Sequence, residues 1–155
     1  MKKIEFFQHN IGQKEIDLVN QVLNSLFLTN ADITKELESK LCQYLSINHC
    51  IGLNSCTAAL HLSLIAMNIG PGDEVITSPL TFAASANAIL HVGAKPVFVD
   101  IEKNNGNIDV DLIEEAITEK TKAILPVHLY GNMCDMVGMK KLADQYNLKI
   151  IEDAA

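Results

Sequence analysis

The residues with the most evident chemical potential lie in a short polar turn, Asn54-Ser55-Cys56-Thr57, between two apolar stretches. The apolar run before it and the apolar pattern after it predict a strand, a turn and a helix, in that order. A helix N-terminus has unpaired N–H groups and a partial positive charge, so the turn could bind a phosphate or another anion. A Ser or Thr in this turn could instead cap the helix and bind nothing. The turn alone leaves both interpretations open.

The thiol of Cys56 offers a second kind of chemistry in the same turn. A helix N-terminus stabilises a thiolate, which can then act as a nucleophile. A cysteine hydrolase also needs a histidine base beside the thiol, and none of the five histidines is placed there by the sequence. A hydrolase using Cys56 is therefore kept as an alternative hypothesis.

Four further candidates are found at or after predicted strands, where an open parallel sheet binds its ligands. Asp153 could cap a following helix or pair with a cationic ligand. Asp100 is followed by charged residues and is interpreted as part of a solvated turn. His128 could be a core histidine or a residue of the ligand edge. Phe82 could belong to the core or provide a stacking surface.

The two commonest phosphate-binding motifs do not occur at these positions. The sequence contains neither a Gly-x-Gly-x-x-Gly nor a Walker pattern there. These glycine-rich loops are typical of dinucleotide and ATP sites, so those two ligand classes are disfavoured.

An alternation of apolar strands and helices must position the candidates. The predicted strands are residues 50–53, 74–77, 96–100, 122–127 and 148–152. The predicted helices are residues 13–26, 33–47, 57–68, 81–91, 109–117 and 136–146, after an arm or edge segment at 2–10. This order predicts an α/β fold with three layers, α/β/α, around a mostly parallel sheet.

Composition excludes several classes of partner. The chain has 155 residues, 48% of them hydrophobic, and a net charge of −7, which argues against nucleic acid and anionic membranes as partners. Its apolar runs are too short to span a bilayer. The four cysteines have no metal-binding spacing, so we expect free thiols, no metal site and a reducing, cytoplasmic compartment.

Six stretches together resemble the DegT/DnrJ/EryC1/StrS family of pyridoxal-phosphate-dependent sugar aminotransferases, which have the aspartate aminotransferase fold, fold type I. The stretches are residues 54–62, 70–76, 81–89, 93–100, 126–131 and 151–155. They follow the family's order and cover nearly the whole chain.

The resemblance implies a role for several of these residues. The family holds the phosphate of pyridoxal 5'-phosphate with the turn that corresponds to Ser55, Cys56, Thr57 and Ala58. Phe82 corresponds to an aromatic residue that stacks on the pyridine ring. Asp153 corresponds to the catalytic carboxylate that pairs with the protonated pyridine nitrogen. Thr29 and Asn30 correspond to an amino-terminal substrate region, and Cys56 stands where the family often has Gly.

The resemblance also implies that the chain is part of a longer enzyme. Residues 1–155 would comprise the amino-terminal segment and the first half of the cofactor-binding large domain. The family's Schiff-base lysine comes later in sequence, so we expect this chain to be inactive by itself. In the family, later strands lie between the strand that ends at Leu53 and the strand that ends at Val127, so we expect apolar residues of the sheet to lose neighbours here. These residues are Ile51, Leu53, Ile124 and Leu125.

The complete enzyme implied by the resemblance would be a homodimer that transfers an amino group from a donor, usually glutamate, to a keto-sugar nucleotide. Such a reaction would serve the biosynthesis of amino sugars or surface polysaccharides. An alternative from another class is a stand-alone α/β module that binds a small phosphorylated ligand at the turn 54–57 without chemistry.

Overall fold

The computed structural model describes residues 8–29 and 32–155, which belong to two compact units, Met1–Gly52 and Leu53–Ala155. The first unit contains two helices, α1 (Gln13–Leu23) and α2 (Asp32–Leu45). Both amphipathic helices of the sequence analysis are confirmed, although α1 ends three residues earlier than predicted. Most of the arm predicted at residues 2–10 lies outside the described residues.

The second unit alternates strands and helices. Its elements are α3 (Cys56–Ala66), β1 (Glu74–Thr77), α4 (Ala84–His91), β2 (Lys95–Phe98), α5 (Ile113–Ala116), β3 (Thr121–Leu125), α6 (Met136–Tyr146) and β4 (Lys149–Ile150). Short 3₁₀ turns precede α5 and α6 at Val110–Leu112 and Leu129–Gly131.

The four strands form one parallel sheet in the order β2-β1-β3-β4. In the register of the two pairings that β1 makes, Thr77 of β1 lies opposite both Phe98 of β2 and Leu125 of β3. The pairing of β3 with β4 continues past both strands in an isolated bridge between Val127 and Asp153. The carboxyl ends of all four strands therefore meet at one edge of the sheet.

Alternating side chains of the sheet bury two separate apolar clusters, because successive residues of a strand point to opposite faces. Val75 and Leu125 pack in the cluster that includes Leu64 of α3 and Ile89 of α4. The opposite cluster contains residues of β1, β3, α5 and α6: Ile76, Ile124, Ile113 and Met139. Helices thus cover both faces of the sheet, and the predicted three-layer α/β/α fold is confirmed.

The prediction of a strand at residues 50–53 is wrong. A strand needs a neighbour for its backbone N–H and C=O groups, and neither edge strand of the sheet pairs with this segment. The N–H of Gly52 instead donates to the carboxylate of Glu38 on α2, at 2.8 Å. Ile51 and Leu53 are 78% and 44% exposed, as expected for apolar residues without neighbours. Ile124 and Leu125 were also expected to lose neighbours, and this expectation is wrong. Both are fully buried on the central strand β3.

Two predicted helices are shorter than the apolar pattern indicates. Residues 81–83 form a tight turn before α4, in which the N–H of Ser85 donates to the carbonyl of Phe82. The helix predicted at 109–117 is divided into a 3₁₀ turn and α5, and Asp109 caps the turn by accepting the N–H of Asp111. Within the described part of the chain, no helix combines the length and hydropathy needed to cross a bilayer.

Candidate functional site

Asp153 lies at the carboxyl edge of the sheet, just past β4. Its N–H donates to the carbonyl of Pro126 at 2.9 Å, and its carbonyl accepts the N–H of His128 at 3.0 Å. These two bonds hold the backbone of Asp153 against the chain that leaves β3. The residue is only 5% exposed.

The carboxylate of Asp153 is contacted by neutral donors. The hydroxyl of Ser85 donates to Oδ2 at 2.7 Å, while the thiol of Cys56 and the N–H of Ala155 approach Oδ1 at 3.7 and 3.2 Å. The bond from Ala155 is the kind of contact that the helix-cap interpretation requires. Among the described residues, no lysine or histidine forms an ion pair with this carboxylate. A buried carboxylate without a cation is costly, so this one is suited to a cationic ligand.

Asp153 and Phe82 line the same cavity. The cavity has a volume of about 380 Å³, within the usual range of small-molecule sites. Its other lining residues are Leu80, Thr81, Val127, Leu129, Tyr130 and Ala155. Phe82 is 84% exposed, so it does not belong to the core. The structure thus brings an open aromatic ring and a buried carboxylate to one cavity.

The polar turn before α3 combines a cap with unpaired donors. Ser55 is the N-cap of α3, and its hydroxyl accepts the N–H of Ala58 at 3.1 Å. In the described part of the same unit, the N–H groups of Cys56 and Thr57 have no acceptor. The capping interpretation is therefore confirmed for Ser55, and two N–H groups remain available to an anion. The turn does not line the cavity of Phe82, and its side-chain contact with that site runs from Cys56 to Asp153.

The surroundings of Cys56 disfavour a thiolate. Partial burial, the negative charge of Asp153 and the hydrogen bond to its carboxylate raise the pKa of the Cys56 thiol, in that order of importance. The group therefore remains a thiol at neutral pH, and its proton is directed at Asp153. This is the opposite of the environment that a nucleophilic cysteine needs.

Two other strand-end candidates have structural partners. Both ring nitrogens of His128 are hydrogen-bonded, Nε2 to Glu152 at 2.9 Å and Nδ1 to the N–H of Cys134 at 3.2 Å. These hydrogen bonds support the interpretation of His128 as a core histidine. Asp100 is exposed and accepts the N–H of Ile101 at 2.8 Å, as predicted for a solvated turn. In the first unit Thr29 is exposed, and Asn30 lies outside the described residues.

The sequence analysis missed Ser85 and Tyr130. Ser85 is fully buried against Asp153, and the only local signal was its spacing of four residues from Thr81 in an alanine-rich segment. Tyr130 is 98% exposed at the cavity and has a φ of 53°, a conformation that is uncommon for a residue with a Cβ. Its position before Gly131 is a turn signal.

The profile of the DegT/DnrJ/EryC1/StrS aminotransferase family matches residues 9–155. The chain belongs to this family. It is 47% identical to the spore coat polysaccharide biosynthesis protein SpsC of Bacillus subtilis over 94% of its own length. It is 43% identical, also over 94% of its length, to the UDP-4-amino-4-deoxy-L-arabinose–oxoglutarate aminotransferase of Shewanella sediminis.

Comparison with solved structures shows that this chain has part of the fold of type I aminotransferases. Spr1654 of Streptococcus pneumoniae is a protein assigned as a sugar aminotransferase. The structure of its pyridoxamine phosphate form superimposes on this chain with a TM-score of 0.94 at 39% identity. That alignment covers 99% of this chain and 43% of Spr1654. The chain likewise spans 37% of the length of both relatives named above.

Proposed function

We propose that this chain forms the cofactor-binding part of a pyridoxal-phosphate-dependent sugar aminotransferase. Residues 1–155 would be its amino-terminal segment and the first half of its large domain. The observation that carries the proposal is the buried carboxylate of Asp153, which has neutral donors and faces the same cavity as the exposed ring of Phe82. A protonated pyridine nitrogen would supply the positive charge that Asp153 lacks.

The residues of the site fit the cofactor. The exposed face of Phe82 can stack on the pyridine ring, and the cavity beside it has room for a small aromatic ligand. The unpaired N–H groups of Cys56 and Thr57, with the hydroxyl of Thr57, can hold the phosphate at the positive end of α3. Ser55 and Ala58 complete the turn but are bonded to each other, so we assign them the smaller part of phosphate binding.

Each of these residues has a separable task in the proposed enzyme. Bound pyridoxal phosphate supplies an electron sink for the substrate carbon that loses a proton. The carboxylate of Asp153 favours the protonated form of the ring nitrogen, which is the form that attracts electrons. Phe82 fixes the plane of the ring, and the turn before α3 fixes its phosphate end. Asp153 is therefore the catalytic residue of this chain in the proposal.

We extend the proposal to a keto-sugar nucleotide as amino acceptor and glutamate as donor. The name of the Shewanella relative combines a UDP-linked amino sugar with oxoglutarate, the keto acid that glutamate becomes when it gives up its amino group. The name of SpsC places that relative in polysaccharide biosynthesis. A homodimeric enzyme in the cytoplasm is part of the same proposal, and the free cysteines at positions 42, 50, 56 and 134 are consistent with a reducing compartment.

Binding of pyridoxamine 5'-phosphate labelled with ¹⁵N in the ring tests the cofactor site. This form has an amine in place of the aldehyde, so it cannot react with surface lysines. We expect saturable binding by the 155-residue chain, with a ring nitrogen that stays protonated to higher pH than in free ligand. Asp153→Asn should abolish that increase in the ring pKa, because it removes the negative charge.

Asp100→Asn is the matched control, since Asp100 also follows a strand but is exposed, and its carboxylate accepts the N–H of Ile101. This variant should bind and protonate the ligand as the parent chain does. The proposed function would be contradicted by an absence of saturable binding. It would also be contradicted if Asp153→Asn raised the pKa of the bound ring nitrogen as much as the parent chain does.

The α/β binding module without chemistry is the second candidate, because the unpaired N–H groups of Cys56 and Thr57 do not require Phe82 or Asp153. It predicts equal affinity for pyridoxamine phosphate and for a phosphate ester without a ring. It also predicts that Phe82→Leu leaves binding unchanged. A preference for the aromatic ligand that is lost in Phe82→Leu would exclude it.

A further inference from the structure

The hydroxyl of Ser85 is a buried polar group at the site to which the cofactor roles above give no task. Ser85 lies in the first turn of α4, is fully buried, and is 68 residues away in sequence from Asp153, the residue it contacts. Its Oγ lies 2.7 Å from Oδ2 of Asp153 and 2.7 Å from the hydroxyl of Thr81. Three side chains thus form a chain of hydrogen bonds that ends at the carboxylate.

The direction of these hydrogen bonds follows from the number of protons. A serine hydroxyl has one hydrogen, and an ionised carboxylate can only accept. The hydrogen of Ser85 therefore goes to Asp153, since the alternative acceptor, the carbonyl of Phe82, is farther away at 3.3 Å. Thr81 must then be the donor to Ser85.

Ser85 and the other donors act on different oxygens of Asp153. The thiol of Cys56 and the N–H of Ala155 both approach Oδ1, whereas Ser85 donates to Oδ2. A thiol is a weak donor, and the contact of Cys56 is long at 3.7 Å. Ser85 therefore provides the short side-chain hydrogen bond that resists rotation of the carboxylate about its χ angles.

The same turn also holds the aromatic residue of the site. The N–H of Ser85 donates to the carbonyl of Phe82 at 3.2 Å, and Thr81 is the residue immediately before Phe82. The segment from Thr81 to Ser85 thereby contacts the carboxylate of Asp153 and holds the backbone of Phe82.

We propose that Ser85 is a positioning residue that locks the Asp153 carboxylate in the orientation needed to hold a protonated ring nitrogen, and that Thr81 orients the Ser85 hydroxyl for this purpose. The relevance to the cofactor rests on the proposed function, whereas the locking of Asp153 is a property of the chain without ligand. The two can therefore be tested separately.

The first measurement uses the chain without cofactor. Three-bond NMR couplings between Hα and the two Hβ atoms of Asp153 report whether its side chain occupies one rotamer. We expect the pair of couplings that a single staggered rotamer produces in the parent chain, and couplings that converge on the rotationally averaged value in Ser85→Ala. Ser78→Ala is the matched control, because Ser78 is also buried near this edge but bonds to Leu80.

The second measurement uses ¹⁵N-ring-labelled pyridoxamine 5'-phosphate. Loss of the Ser85 hydrogen bond should weaken binding about three- to tenfold and lower the pH at which the bound ring nitrogen loses its proton. Thr81→Val should have a smaller effect in the same direction. In the Ser85→Ala background Thr81→Val should have no effect, because Thr81 acts through Ser85.

The variants distinguish positioning from a general loss of stability. Ser85→Thr retains the hydroxyl and should restore both the single rotamer and the ring protonation. If its added methyl group prevents folding, Thr81→Val provides the same test from the partly buried end of the hydrogen-bond chain. Averaged couplings in the parent chain, or a single rotamer retained in Ser85→Ala, would overturn the proposal whether or not the ligand binds. Failure of the parent chain to bind would instead contradict the proposed function.

Discussion

Two buried carboxylates at opposite edges of the sheet have opposite electrostatic surroundings. Glu74 begins β1 at the amino edge, accepts the hydroxyl of Thr118 at 2.7 Å and pairs with the ammonium of Lys95 at 2.9 Å. Asp153, at the carboxyl edge, has donors of similar geometry but no cation among the described residues. Their exposed fractions are nearly equal, 7% and 5%.

The difference separates a structural carboxylate from a candidate functional one. The bond from Thr118 and the charge of Lys95 lower the pKa of Glu74, so the chain itself stabilises this charge. A charge without such a partner is a cost that folding alone does not explain. The lack of a cation among the described residues, rather than burial, is what makes Asp153 a candidate site residue.

The two edges of the sheet also differ in where their lysines lie. The largest effect that we expect from this is a complete absence of turnover in the 155-residue chain. The strand lysines Lys95, Lys122 and Lys149 lie at or near the start of their strands, at the edge of Glu74 and away from Asp153. We therefore expect no amine transfer from glutamate to a keto-sugar nucleotide. Borohydride reduction with pyridoxal phosphate should label several lysines weakly. One stoichiometrically labelled lysine together with turnover would contradict this prediction.

The second effect concerns catalysis in a longer protein that contains this segment and the cofactor-linking lysine. Asp153→Asn keeps the shape of the side chain but removes its charge, so the ring nitrogen is less often protonated. We expect kcat to fall at least about tenfold, or roughly 1.4 kcal/mol in barrier height. Cofactor affinity should fall less, because Phe82 and the turn before α3 remain.

Thr57→Ala should produce the reverse pattern, weaker cofactor retention with a nearly unchanged kcat at saturation. The measurements are steady-state kcat and the dissociation constant of the cofactor, with Asp100→Asn as control. If Asp153→Asn has the same kcat as the parent enzyme, the assignment of Asp153 as a catalytic residue is wrong.

The third effect uses Cys56 as a probe of the uncompensated charge. Burial and the charge of Asp153 raise the pKa of the Cys56 thiol above its usual value of 9.0, so it is mostly protonated at neutral pH. Asp153→Asn removes the charge, which should shift the pH profile of alkylation to lower pH. At pH 8 we therefore expect faster alkylation of Cys56 in this variant than in the parent chain, because a larger fraction of the thiol is ionised.

Iodoacetamide labelling with peptide mapping resolves Cys56 from the other thiols, and Asp100→Asn should leave its rate unchanged. Faster alkylation in both variants would mean that the negative charge of Asp153 is not what raises the pKa of the Cys56 thiol.

Local signals explain which parts of the fold could be predicted. The bounds of α6 were correct because Asp135 caps its first turn and Asn147 ends it in the left-handed region. The run at residues 50–53 looked like a strand, but strand formation requires a partner elsewhere in the chain. Apolar pattern alone carries no information about that partner.

The same distinction applies to the candidate site. Asp153 and Phe82 could be predicted because they follow recognisable stretches of sequence, and the structure brings both to one cavity. Ser85 could not, because its significance depends on a hydrogen bond to a residue near the other end of the second unit. Likewise, the sequence could not show that Asp153 has no cationic partner in the described part of the chain, because this depends on its neighbours in space.

The smallest effect compares the stability of variants at the two edges in the absence of cofactor. Glu74→Gln removes a charge that Thr118 and Lys95 stabilise, so we expect a lower Tm at pH 7. Asp153→Asn removes a buried charge without a cation, so its Tm should be equal to or higher than that of the parent chain. Thermal unfolding followed by circular dichroism measures both differences.

The pH dependence of the Glu74→Gln difference provides the sharper test. The folded state lowers the pKa of Glu74 below its ordinary value of 4.5, so it binds this proton less tightly than the unfolded chain does. The resulting stability is fully present above the ordinary pKa and is lost as the pH falls through the lowered one. The difference in Tm between the parent chain and Glu74→Gln should therefore be constant near neutrality and shrink below about pH 4.5. A difference that persists unchanged in acid would show that the charge of Glu74 contributes nothing, and a lower Tm for Asp153→Asn at pH 7 would show that Asp153 is also a structural carboxylate.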